Sequence, residues 1–121
     1  MSLSKDLQQI NHEIPLDKAV EMTRRFRNDN SKILQQDYSK SLPQSEIFDK
    51  SAFEKLVGLP GCVGIRAYFG VDDKNDVRLI FVGVNDKNED ILPGGGGGSI
   101  VEFGQRCPPI CPVSSPLNGD L

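Results

Sequence analysis

The chain is short of most residue types that carry chemistry. It has one histidine, three cysteines and no tryptophan among 121 residues. A lone histidine leaves no Ser-His-Asp arrangement to assemble, and no strong acidic pair stands out, so hydrolytic catalysis has little to build on. An odd number of cysteines does not make the framework of a disulfide-rich secreted domain. No apolar run approaches the roughly 20 residues that span a bilayer, and Met1 to Gln9 contains no signal-peptide core. Fourteen basic residues against 17 acidic ones leave a net charge of −3, which argues against broad capture of nucleic acid or anionic membrane. The expectation from these absences is a cytoplasmic protein without a cofactor and without a nucleic-acid or membrane partner.

What is present patterns as one domain. At this length roughly two-thirds of the unfolded chain's surface can be buried, so folding needs no disulfide staple. Residues 1–13 are polar and weakly patterned, a short helix or a loose arm. From Leu16 to about Asp29, Leu16, Ala19, Val20, Met22, Thr23 and Phe26 fall on one helical arc of roughly 160°. Pro15 suits the first helical position and Asp17 complements the helix dipole. Glu21 can pair with Arg24 or Arg25, and the stem of Arg27 should cover the core edge. Residues 28–47 read as a loop with one extra helical turn, pinned by Ile33, Leu34 and Tyr38. A second helix starts at the N-cap Asp49, with Phe48 and Phe53 spaced as a hydrophobic staple. Phe53, Leu56 and Val57 form its buried face, and Gly58 supplies a left-handed C-terminal residue.

Period-two alternation then predicts a strand from Cys62 to Val71. Asp72 to Asp76 has turn composition, and Val77 to Val84 returns as the partner strand. The return strand is apolar on both faces, as central strands are, and Ile100 to Phe103 or a symmetry-related subunit is its expected second neighbour. Gly94 to Gly98 reads as a tether within the glycine-rich 93–99 loop, and 113–121 as a loose tail. The fold class is α+β, with N-terminal helices packed on one face of a small antiparallel sheet centred on the 62–84 hairpin. The uncovered face of Ile80, Val82 and Val84 should then be closed by a homodimer, or by the tail from Gly104 laid across it.

Three constellations could carry function. Cys107 and Cys111 flank Pro108, Pro109 and Ile110; an extended Pro-Pro step would hold them roughly 12 Å apart, too far for a disulfide unless the step turns. With Cys62 and His12 they could offer zinc four ligands, although the spacing is poor. As a pair they could serve thiol redox, and the plainer alternative is packing. Arg66 and Tyr68 share a strand face, with Arg78 across the hairpin, and could hold a carboxylate or phosphate. The glycine run lacks the following helix that a phosphate loop needs. Asp86, Asn88 and Asp90 begin like a calcium loop, but Ile91 and Gly97 stand where glycine and glutamate belong.

The segments Leu16-Asp17-Lys18-Ala19 through Arg27, Phe48 through Gly70, Phe81-Val82-Gly83-Val84 and Cys107-Pro108-Pro109 through Pro112 resemble an uncharacterised family of small bacterial proteins. Leu59-Pro60-Gly61-Cys62-Val63-Gly64-Ile65-Arg66 is the most specific stretch. The resemblance implies kinship and no activity. A non-catalytic binding or protein-interaction module is the expected function, with a cysteine-dependent metal or redox protein as the alternative.

Overall fold

The computed structural model describes residues 11–34, 42–95 and 97–118. Helix α1, Leu16–Leu34, runs beyond the end expected at Asp29. It opens with the Ala19 N–H donating to the Pro15 carbonyl at 3.2 Å. Glu21 pairs with Arg24 and Arg25 on its outer side. Only part of the predicted apolar arc is covered. Ala19 and Met22 are buried, whereas Leu16 and Val20 remain 38% and 53% exposed, because the arc is wider than the strip of sheet beneath it. The expected anchor Tyr38 lies outside the described residues, as do the side chains of Ile33 and Leu34.

Strand β1, Ser45–Ile47, precedes helix α2, Lys50–Val57. The Asp49 side chain accepts the Ser51 N–H at 3.1 Å, which satisfies one of the free donors at the helix start. Phe48 meets Phe53 edge-on at 5.6 Å between ring centroids, the staple that the sequence predicts. Leu56 is fully buried while Val57 faces solvent. Gly58 does not adopt the expected left-handed conformation; its φ of −83° and ψ of −4° are ordinary helical values. The positive φ falls instead at Gly61, where the chain turns into the sheet.

The hairpin of β2 (Gly64–Val71) and β3 (Val77–Val84) is in register from Gly64↔Val84 to Val71↔Val77. Asp72 closes the turn by accepting the N–H groups of Lys74 and Asp76 at 2.9 and 3.0 Å. On its other side β3 pairs with two short strands, β4 (Asp90–Ile91) and β5 (Ile100–Val101), so β3 is central as its composition requires. Residues 12–14 lie along β5, with Ile14 N–H bonded to the Ile100 carbonyl and Glu102 N–H to that of His12. The C-terminal part of the expected loose arm is therefore fixed; residues 1–10 lie outside the described residues.

The two helices contact opposite faces of the hairpin. On one face Ile80 and Val82 pack with Ile14, Ala19, Met22 and Ile100. On the other, Phe81 is edge-on to Phe48 and Phe53 at 5.3 and 5.0 Å. This corrects the expectation that the helices cover one face only. Ile80, Val82 and Val84 are buried within the chain and leave no open patch for a dimer to close. Nor is the tail their lid, since Pro108, Pro109, Ile110 and Pro112 are exposed.

Gly94, Gly95, Gly97 and Gly98 are not all interchangeable spacers. Gly98 donates to the Leu92 carbonyl at 2.9 Å, and a Cβ there would stand 2.0 Å from the Ile91 carbonyl oxygen. The last strand, β6 (Gln105–Cys107), pairs with β1 in a separate two-stranded ribbon through Ser45↔Cys107, Glu46↔Arg106 and Ile47↔Gln105. A single 3-10 turn, Pro116–Asn118, follows in the predicted loose tail.

Candidate functional site

A groove of about 230 Å³ runs between α1 and the sheet. Ile80, Val82, Leu92 and Ile100 give it an apolar floor, with Leu16, Ala19 and Val20 along the α1 wall. Thr23, Arg27, Tyr68 and Asp90 supply its polar atoms. Arg27 thus ends at the groove, as its place on the apolar side of the helix implies. Beside the groove α1 touches β2 at Gly70, where a Cβ would lie 3.0 Å from that of Met22.

Arg66 and Tyr68 do come together, as their shared face predicts, and they converge on one acceptor that sequence reading placed elsewhere. Arg66 donates to the carboxylate of Asp90 and the side-chain oxygen of Asn88. The Tyr68 hydroxyl donates to the other Asp90 oxygen. That bond to a carboxylate, followed by burial, holds the Tyr68 phenol above its ordinary pKa, so it serves as a donor and not as a base. The residues read as a failed calcium loop therefore make a tight turn, with Asn85 capping Lys87 and Glu89, and present their oxygens to an arginine.

Arg78 does not join this pair. It stands opposite Gly70, four residues along from Arg66 and so roughly 13 Å away. Its Nε bonds Asp72 at 3.0 Å and its Nη1 the Gly104 carbonyl at 3.2 Å. Glu46 and Glu102 approach to 3.8 and 3.9 Å. On the ribbon, Arg106 bonds Asp76 at 2.8 Å and lies 4.0 Å from Glu46. Four acids thus crowd two guanidinium groups. The side chains of Glu102 and Glu46 are 0% and 3% exposed, and neither Glu102 oxygen accepts a well-aligned hydrogen bond among the described residues. Burial pushes the Glu46 carboxyl up to about 7, against the pull of Arg78 and with added repulsion from Glu102. Burial likewise raises Glu102, opposed by the Phe103 N–H and by Arg78. For Asp72 burial acts the same way, but the N–H groups of Asp76 and Lys74 and the Arg78 guanidinium outweigh it and leave its pKa lowered.

The cysteines divide. Cys107 and Cys111 form a disulfide with their Cα atoms 4.7 Å apart, and the Cys107–Pro108 and Pro108–Pro109 bonds between them are both cis. The turn that the sequence required is therefore made at the prolines. Cys107 is fully buried and Cys111 exposed, beside a cleft that Ser45, Ile47, Ile110 and Pro112 also line. Cys62 is a free thiol, donating to the Gly64 carbonyl at 3.2 Å, and a Cβ on Gly83 would meet its sulfur at 3.1 Å. His12 is occupied on both ring nitrogens. Nδ1 lies 3.0 Å from the Glu102 and Phe103 carbonyls, which makes it the protonated nitrogen, and Nε2 accepts the Asp49 N–H at 3.3 Å. Among the described residues no three His, Cys, Asp or Glu side chains are grouped to hold a metal ion. No helix of the described residues is long and apolar enough to cross a membrane. Compared with known proteins, the chain matches no family model, no curated sequence and no solved structure.

Proposed function

We propose that the chain is a non-catalytic protein-interaction module whose groove between α1 and the sheet receives one apolar anchor side chain of a partner protein. The observation that carries this reading is the groove itself. Its volume of about 230 Å³ falls below the roughly 300–1,000 Å³ of small-molecule sites, yet suits a single leucine or phenylalanine. Anchors of this kind, seated in preformed apolar pockets, dominate many interfaces. Thr23, Arg27 and Asp90 at the groove can meet the polar backbone that flanks such an anchor.

Burying one such side chain contributes about 1.5–3 kcal/mol, which alone gives a dissociation constant of roughly 6–80 mM. The test follows from that magnitude. Toluene, a mimic of the phenylalanine side chain, should produce concentration-dependent shifts of the Ile80, Val82 and Ile100 methyl resonances up to the limit of its solubility. Ala19→Leu, which fills the groove, should abolish them. Shifts that are absent, or that persist in a folded Ala19→Leu protein, would sink the proposal.

A thiol-redox role is the second reading, favoured by the Cys107–Cys111 disulfide with its exposed outer cysteine. The same bond weighs against the zinc alternative, which needs free thiolates. It also bears on compartment, because a cytoplasmic location fits a disulfide best when the pair cycles. Thiol counting on protein purified without reductant decides the matter: one free thiol supports this reading and three refute it.

A further inference from the structure

Strand β2 has β3 on one side and no second strand on the other among the described residues. Edges of this length are usually blunted by lysine, proline or a bulge. Here the register with β3 is unbroken, and the strand contains neither residue. Instead it exposes Ile65 and Phe69, 39% and 53% accessible, with Val63 before them at 69%. Val63 and Ile65 lie on the face away from the groove, and Phe69 shares their face while stacking on Phe26 of α1 at 5.4 Å between ring centroids.

The residues of this edge read alike in both directions. Val63-Gly64-Ile65-Arg66-Ala67-Tyr68-Phe69-Gly70-Val71 is, by size and character, symmetric about Ala67. We infer that β2 pairs antiparallel with β2 of a second copy of this chain, about a two-fold axis at Ala67, and joins the two sheets into one. In that register Ala67 faces the partner's Ala67, and Ile65 faces the partner's Phe69. Large side chains then flank a small centre and interdigitate, the arrangement that stabilises cross-strand pairs. Arg66 faces the partner's Tyr68 and meets no second cation, while its own charge is balanced by Asp90. The glycines at 64 and 70 fall opposite each other, so neither brings a side chain to the seam.

Neighbouring registers are worse for stated reasons. A shift of one residue pairs the apolar face of one copy with the α1 face of the other. A two-residue shift in one direction sets Arg66 against the partner's Arg66, a like-charge pair directly opposed; in the other it sets Phe69 against the partner's Ala67 and loses the size match. The two-fold also explains why such an edge does not propagate: an isologous contact uses the same patch on both copies and closes.

The proposal stands apart from the groove reading and is tested on the full chain. Light scattering should give twice the 13.3 kDa chain mass, and Ile65→Lys, at an exposed position, should shift it to the monomer. In a Cys62→Ser background, Ala67→Cys should oxidise readily to a covalent dimer, because directly opposed residues on antiparallel strands are about 4.5–5.5 Å apart, within disulfide reach. Ile65→Cys should link at least about tenfold more slowly, since its two copies would lie roughly 13 Å apart. A monomer at every concentration overturns the inference. A dimer in which Ile65→Cys links as fast as Ala67→Cys overturns it equally.

Discussion

Glu46 is tied to a pH dependence opposite to that of most carboxylates. It sits at the centre of the β1–β6 ribbon, cross-strand from Arg106, with Arg78 and Glu102 on the body of the protein facing it. Its carboxyl is raised from 4.5 to about 7, burial being the largest cause. Below pH 4.5 the folded and unfolded chains both hold the proton, and the stabilising contribution is complete. As pH rises from there the unfolded chain releases its proton first, and stability falls until the folded carboxyl ionises near 7. The gap of about 2.5 units, at roughly 1.4 kcal/mol per unit, comes to about 3 kcal/mol. The side chain is 3% exposed, so water does little to screen it. A domain of this size has a total stability of about 5–15 kcal/mol, so the effect is measurable.

Glu46→Gln keeps the shape of the protonated acid and removes the titration. Urea unfolding at pH 5, 6, 7 and 8 should show wild-type stability falling relative to the variant across this window. The two proteins should lie within about 1 kcal/mol at pH 5, with the glutamine protein more stable by about 2–3 kcal/mol at pH 8. The reasoning is refuted if the wild type holds or gains stability relative to the variant from pH 5 to 8. Glu46 would then be acting as an ionised partner of Arg78 and Arg106.

Three further outcomes follow from packing and hydrogen bonding. Phe81→Ala empties the contact with Phe48 and Phe53 and should cost about 3–5 kcal/mol, read as a fall in denaturation midpoint; a melting point within a degree or two of wild type contradicts the placement. Gly98→Ala drives a methyl into the Ile91 carbonyl and should destabilise by about 2 kcal/mol or more, whereas Gly95→Ala, with open space around it, should stay within about 0.5 kcal/mol; equal effects would make the loop a uniform tether. Asp90→Asn removes the charged acceptor of Tyr68, so ultraviolet titration, with Tyr68→Phe identifying the signal, should show the phenol returning toward its ordinary pKa. An unchanged phenol would show that burial and not the carboxylate sets it.

The elements legible in the sequence are those whose causes are local. Asp49, Phe48 and Phe53 mark α2 within six residues of chain, and Asp72 to Asp76 closes its hairpin on itself. The double-sided apolar character of β3 correctly announces a central strand covered on both faces. It does not say what does the covering, because that depends on where α1 and α2 land after the chain has doubled back. The self-association argument built on Ile80, Val82 and Val84 fails at this step. Strands β1 and β6 are three residues each, too short for alternation to register, and their polar sequences give no apolar signal.

The charged residues show the same limit in sharper form. Period-two spacing tells which face a side chain occupies, and it puts Arg66 beside Tyr68; Arg78 shares their face by register but stands roughly 13 Å from Arg66. What each cation meets depends on the strand lying beyond β3 at its own level. Near Arg66 the neighbour is β4, so Asp90 arrives as its acceptor. Near Arg78 the neighbours are the end of β5 and the ribbon, so Glu102 and Glu46 arrive and are buried with it. Read as a strand residue after Ile100 and Val101, Glu102 gives no hint of burial, and Glu46 sits in a stretch that reads as loop. Their raised pKa values come from closing the ribbon over Arg78, a contact made by residues far apart in the chain. The groove shares this origin: its floor comes from β3, β5 and the residue after β4, its wall from α1, and no single segment contains enough of it to be recognised.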